Sequence, residues 1–231
     1  MITVDGVRVE VIRKRIKRIY IRVYPPDGRV RLSVPLRLSQ KAVRQAVADR
    51  LDWIRATQSK ILEQDWPTPP EFVTGEQHYL FGVAHRLKVI ETTGRQFVEI
   101  SRDGDLCLYV RPGQDRARRR AILHRFYREK LGQLIAELVT KWEPVVGVEV
   151  AEWRIKRMKT RWGSCNIQAG RIWLNLELAK RAVGCVEYVC VHEMVHLIER
   201  LHNRRFWGFM DQFLPDWRAR QNELRAMRIQ I

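Results

Sequence analysis

Long apolar runs are missing from this chain: no stretch approaches the roughly 18 residues that a membrane-spanning helix needs. Low-complexity tracts and internal repeats are missing too, which excludes fibrous and solenoid architectures. The four cysteines, Cys107, Cys165, Cys185 and Cys190, form no C-x-x-C pair and no disulfide-scaffold spacing. Their neighbours are apolar, so they read as reduced thiols in a core. No helix-turn-helix, zinc-finger or glycine-rich phosphate loop is found. Met1 to Asp5 begins as a strand, with no basic start leading into an apolar run, so the cytosol is the expected compartment and no membrane is expected as a partner. Acidic residues are scarce: 26 against 43 basic ones leave a formal charge of +17.

A chain of 231 residues can bury a substantial core as one large or two small domains. Its 45% apolar residues and eight tryptophans argue for an ordered fold. The basic excess attracts polyanions such as nucleic acid, nucleotides or an acidic surface.

Alternation of apolar and polar residues predicts a β-hairpin over 7–34, turning at Pro25-Pro26-Asp27-Gly28. Ser39 is placed to cap one helix reaching Ile61. Pro67-Thr68-Pro69-Pro70 is the best linker, dividing an N-terminal hairpin plus helix (1–70) from a second domain (71–231) that can also pack with it as one unit. Strands are expected at 79–81, 86–90, 97–100 and 106–110, with turns at Gly94 and Asp103-Gly104. A long helix should run from Asp115 to about Trp142, ended by Pro144. Residues 153–162 read as a strand, Gly163-Ser164 and Ala169-Gly170 as turns, and 172–176 as the returning strand. A helix follows from about Val183, then two more capped by Asn203 and Asp216. The order is α+β: an N-terminal hairpin and helix, a mixed β region, then helices on a small sheet.

The densest chemistry lies at His192-Glu193-Met194-Val195-His196, an H-E-x-x-H pattern within a predicted helix. Positions i and i+4 share a helix face, so both imidazoles can grip one metal ion while Glu193 stands beside them to take a proton from water. A catalytic zinc site needs three protein ligands and an open position. His202 is the preferred third, since imidazole suits zinc and the spacing is compact; Glu199, Asp211 and Glu223 are the alternatives. In an unbroken helix His202 would point about 80° away from His192, so the helix must end near Arg200 or Leu201. His78, His85 and His124 lack such company and read as surface or packing residues.

Met158 to Asn166, Ile172-Trp173-Leu174-Asn175, Glu187 through His202, and Phe206-Trp207 together resemble the YgjP-like metallopeptidase family, a zincin-like group distantly similar to SprT-like proteases. The resemblance is strongest over 150–220 and runs more faintly through nearly the whole chain. It implies a zincin-like fold, His192, His196 and His202 as metal ligands and Glu193 as general base. Leu201 and Asn203 flank the third histidine where relatives usually carry Asn and Ser.

The expected chemistry is hydrolysis by a metal-activated water, with Zn2+ as the cofactor and Ni2+ or Mn2+ as other possibilities. Lys159 and Arg161 are candidate oxyanion or substrate contacts. Basic residues cluster at 13–22, 116–130, 154–161 and 218–228. Three functions compete: a peptidase, a divalent-metal hydrolase of nucleotide phosphoanhydrides, and a non-enzymatic nucleic-acid-binding protein with a structural metal. The expected partner is accordingly a peptide or anionic substrate, with nucleic acid or nucleotide on the basic surface.

Overall fold

A computed structural model describes residues 1–64 and 69–226. The chain divides into two compact units, Met1–Thr68 and Pro69–Ile231, each with its own apolar core. Pro67 and Thr68 of the expected linker lie outside the described residues.

In the first unit, β1 (Ile2–Val4), β2 (Val7–Lys14), β3 (Tyr20–Tyr24) and β4 (Arg29–Pro35) form one sheet in the order β1-β2-β4-β3. The expected simple hairpin is therefore incomplete. β3 and β4 pair antiparallel across the Pro25–Gly28 turn, while β4 also pairs parallel to β2. Alternation sends Val7, Val9, Val30, Leu32 and Val34 to one face, where Val43, Val47 and Ile54 cover them. Those three come from α1 (Gln40–Ala48) and α2 (Leu51–Leu62), two helices where one was expected, with Asp49 and Arg50 between them. Ser39 caps α1 by accepting from the Ala42 N–H.

The second unit opens with a mixed sheet ordered β5-β6-β8-β7, built from Gln77–Leu80, Val83–Glu91, Phe97–Ile100 and Leu106–Val110. Asp115 caps α3 (Arg116–Val146), whose buried stripe from Ile122 to Val146 forms one wall of the core. Pro144 does not end this helix. It removes one backbone donor only in the last turn, where buried Val146 and the left-handed Gly147 cap (φ 74°) hold the chain to its close.

The sheet beside the site departs from a hairpin as well. β9 (Glu152–Lys156) and β11 (Arg171–Asn175) run parallel, and β10 (Gly163–Asn166) pairs antiparallel with β11 at the edge, giving β10-β11-β9. Gly163 and Ser164 are thus strand residues, and residues 157–162 form the crossing loop. That loop is pinned by fully buried Asn175, whose Nδ2 donates to the carbonyls of Met158 (2.8 Å) and Arg161 (2.7 Å). Its Oδ1 accepts from the Met158 N–H. Over this sheet lies α4 (Val183–Val195), apolar on nearly every side because α3, α5 (Arg204–Phe213) and α6 (Trp217–Ala226) enclose it. Its one charged core residue besides Glu193 is Glu187, which accepts from Lys141, Trp142 and Arg220 and so ties α3, α4 and α6 together. Among the described residues, no helix is long and apolar enough to cross a membrane.

Candidate metal centre

α4 ends at Val195, several residues sooner than the spacing suggested, with His196 as its cap. Tightened turns follow: the Leu197 N–H donates to Met194 and the Ile198 N–H to Val195, three residues back. None of the residues between His196 and His202 adopts positive φ. Asn203 then caps α5 by accepting from the Phe206 N–H at 3.0 Å. This early stop is what swings His202 back over the helix end.

The three imidazoles converge. His202 Nε2 lies 2.9 Å from His192 Nε2 and 3.0 Å from His196 Nε2, and one ligand atom from each lies within 4.8 Å of the others. Tetrahedral zinc with bonds of roughly 2.0–2.1 Å would hold nitrogens about 3.3 Å apart, so the donor set is the right kind and nearly the right size. Protonation states agree. The His196 Nδ1 stands 3.1 Å from the Glu199 carbonyl, which only accepts, so Nδ1 carries the proton and Nε2 presents its lone pair. Burial and the adjacent His196 and His202 rings push His192 down to about 3, so it is neutral at physiological pH. Burial also lowers His196. With the Nε2 atoms of His192 and His196 both facing that of His202, the cluster suits a cation between the rings far better than direct contact.

Aromatic rings floor this cluster. Fully buried Phe206 packs within 4.9 Å, centroid to centroid, of all three imidazoles. Trp207 stacks on His202 at 5.5 Å, and its Nε1 donates to the His202 carbonyl at 3.1 Å. Glu199, considered earlier as a ligand, supplies only its backbone carbonyl; Asp211 pairs with Arg218 and Trp217.

Glu193 is 5% exposed and faces the β10 edge. A Cβ placed on Gly163 would lie 2.7 Å from its Cγ and 2.8 Å from its Cδ, with Oε1 closer still. Only glycine leaves room for this carboxyl. Burial raises Glu193 to about 8, opposed by the charge of Arg161. Such a group sits near the pH where it can both take and return a proton.

Histidines and carboxyl open into a cleft of about 1260 Å³ walled by the 160–168 segment, Tyr188, Val189, Arg200, Leu224 and Arg225. Arg161 lines it. Lys159 is exposed and outside the lining, because the chain has left the strand there and alternate residues no longer share a face. Sequence reasoning read Gly163 as a turn residue and gave no site role to Asn175, Phe206 or Trp207. A glycine inside a strand was the available sign of close approach, and the aromatic pair in the first turn after a capping asparagine was the sign of a floor. His78 and His85 are packing residues, bonded to Glu76 and to the Gly104 carbonyl.

A family model described as YgjP-like, metallopeptidase domain, matches residues 17–227. Among solved structures, the metallopeptidase zymogen abylysin of Pyrococcus abyssi is similar at 22% identity, covering 42% of this chain and 99% of that one, with a TM-score of 0.37. The zymogen jannalysin of Methanocaldococcus jannaschii is similar at 19% identity over 40% of this chain and 86% of its own, with a TM-score of 0.35. No curated protein matches. The chain belongs to the YgjP-like metallopeptidase family and is, on that footing, a metal-dependent hydrolase.

Proposed function

We propose that this protein is a zinc-dependent peptidase in which His192, His196 and His202 hold the ion and Glu193 is the general base. The observation that carries this reading is the convergence of three imidazole nitrogens, with a nearly buried carboxyl next along the helix, at the floor of an open cleft. A divalent cation held there supplies Lewis acidity to water and to a substrate oxygen. Glu193 takes the proton from the attacking water and delivers it to the leaving amine. The peptide reading is supported by β10: it is the edge of its sheet, and all four of its residues line the cleft. An extended peptide laid along that edge would gain backbone hydrogen bonds without needing a particular sequence.

A second reading has its own support. Three arginines, Arg161, Arg200 and Arg225, line the cleft against one carboxylate, Glu193. That balance suits an anionic substrate, and the same catalytic parts would hydrolyse a nucleotide phosphoanhydride.

One experiment separates the two. Protein loaded in turn with Zn2+, Ni2+ and Mn2+ is offered a quenched-fluorescence peptide library and the nucleoside triphosphates. Peptide turnover that needs the ion and falls by about 10²–10⁴-fold in Glu193→Gln supports the peptidase. Triphosphate turnover alone, with every peptide inert, overturns it.

A further inference from the structure

The N-terminal unit carries a surface that the proposed chemistry does not use. Residues 1–68 hold 15 of the 43 basic and 7 of the 26 acidic residues, a net +8 in under a third of the chain. The sheet order and the burial pattern sort these charges. With Val9, Val30, Leu32 and Val34 turned to the helices, the residues between them face the other way. That face is uncovered by either helix of the unit. It presents Arg8 on β2, Arg29 and Arg31 on β4, and Arg22 on β3. Its one carboxylate, Glu10, is 2.8 Å from Arg31 and offers no net repulsion to an anion.

Aromatic rings are interleaved with the cations. Tyr20 and Tyr24 project from β3 on the same face, and Tyr20 is 50% exposed. The register sets Arg22 beside Arg31 and Tyr24 beside Arg29. The guanidinium carbons of Arg29 and Arg31 lie 5.6 and 5.3 Å from the Tyr24 centroid, making a stacked ring-and-guanidinium platform. Tyr20 and Tyr24, four residues apart on one strand, stand about 13 Å from each other, so each can carry its own base. Ser33 pairs with Tyr20 across the strands and puts a neutral hydroxyl next to that ring.

We propose that this sheet face binds single-stranded RNA. The arginines take phosphates, the tyrosines and the stacked guanidiniums take unpaired bases, and Ser33 is placed to bond a ribose 2′-hydroxyl. Duplexes bury their bases and cannot use the rings.

The test uses the full chain and fluorescence anisotropy with a labelled mixed-sequence RNA of about 12 nucleotides. The matching DNA strand, the RNA duplex and heparin serve as competitors. Tyr20→Ala should weaken RNA binding about tenfold while leaving the salt dependence unchanged, as loss of stacking requires. Arg22→Gln should lower the slope of log K against log salt by about 0.7, the share of one phosphate on a single strand. Circular dichroism melts show whether the variants remain folded, and Tyr20→Phe should restore binding. Glu193→Gln should bind RNA as the wild type does, so this outcome is independent of the peptidase reading. Equal competition by duplex or heparin, or wild-type affinity in folded Tyr20→Ala, overturns the proposal; equal affinity for the DNA strand overturns the assignment to RNA.

Discussion

Replacing Gly163 by alanine tests the link between the sheet edge and Glu193. Its backbone φ is not in the left-handed region, so alanine meets no conformational penalty there. The whole effect must come from the added methyl. That methyl would sit 2.7 Å from Glu193 Cγ and 2.8 Å from Cδ, where ordinary contact begins at 3.4 Å. The carboxyl must therefore move by something near 1 Å, and a misplacement of that order costs about 10²-fold in rate. Crowding a filled site also costs about 1–3 kcal/mol, which for a domain of this size lowers Tm by about 2–12 °C. Metal content by elemental analysis should not change, because no imidazole is touched. The decisive comparison is a double-mutant cycle read by thermal melting: in a Glu193→Ala background the space is empty and Gly163→Ala should cost close to nothing. Wild-type turnover and wild-type Tm in Gly163→Ala, or the same Tm loss with and without the glutamate side chain, would refute the reasoning.

Other outcomes follow from the same geometry. His202→Ala should lose the bound ion while Glu193→Gln keeps it, read by elemental analysis after dialysis; retention in His202→Ala would remove it as a ligand. Trp207→Phe keeps the stack on His202 and deletes the bond to its carbonyl, so metal affinity measured by competition with a chelator should fall about 10–100-fold. Asn175→Ala should speed hydrogen exchange of the 158–162 backbone without releasing metal, since no ligand lies on that loop. His124 is pushed down to about 4 by burial, the opposing charge of Glu177 being too weak to hold it up. The unfolded chain therefore binds a proton near pH 6.5 that the folded one refuses until about pH 4. Stability is full above 6.5 and falls as the pH drops through that window, by about 1–2 kcal/mol once its partial exposure is allowed for. Urea titrations in EDTA at both ends of the window should show a smaller loss in His124→Gln than in the wild type, the remainder belonging to the other histidines that burial lowers, His192 and His196.

Much of the fold could be read from periodicity and caps, because those signals are local. Ser39 and Asn203 each cap the helix they were expected to cap, and the long helix begins at Asp115 as expected. The four strands between Gln77 and Val110 fall where alternation put them. Strand pairing was harder, because partner choice is decided by long-range packing. Nothing in residues 7–34 says that β4 inserts between β2 and β3, or that β9 lies parallel to β11. The convergence of His192, His196 and His202 was legible because all three belong to eleven consecutive residues. The length of α4 was not: its end depends on i→i−3 turns that no glycine or proline announces. Gly163 was misread as a turn residue for a related reason, since its cause is a carboxyl thirty residues away in sequence.

This contrast divides the site into two kinds of construction. The proposed metal-holding groups come from one short segment, the end of α4 and the turn after it, steadied by two aromatic residues of the next helix. Their mutual placement needs little beyond the Asn203 cap and the Phe206 anchor. Glu193 rises from the same helix, yet its enclosure is built by β10, and β10 is held by β11 and by the loop that Asn175 pins. On the proposed roles, metal affinity is thus a nearly local property, while the placing of the base depends on contacts far apart in sequence. Damage to the sheet should abolish turnover while the ion stays bound, and damage to the Asn203 cap should release the ion and turnover with it. A chain that keeps its histidines but loses the glycine at 163 would then hold metal without the base in position to use it.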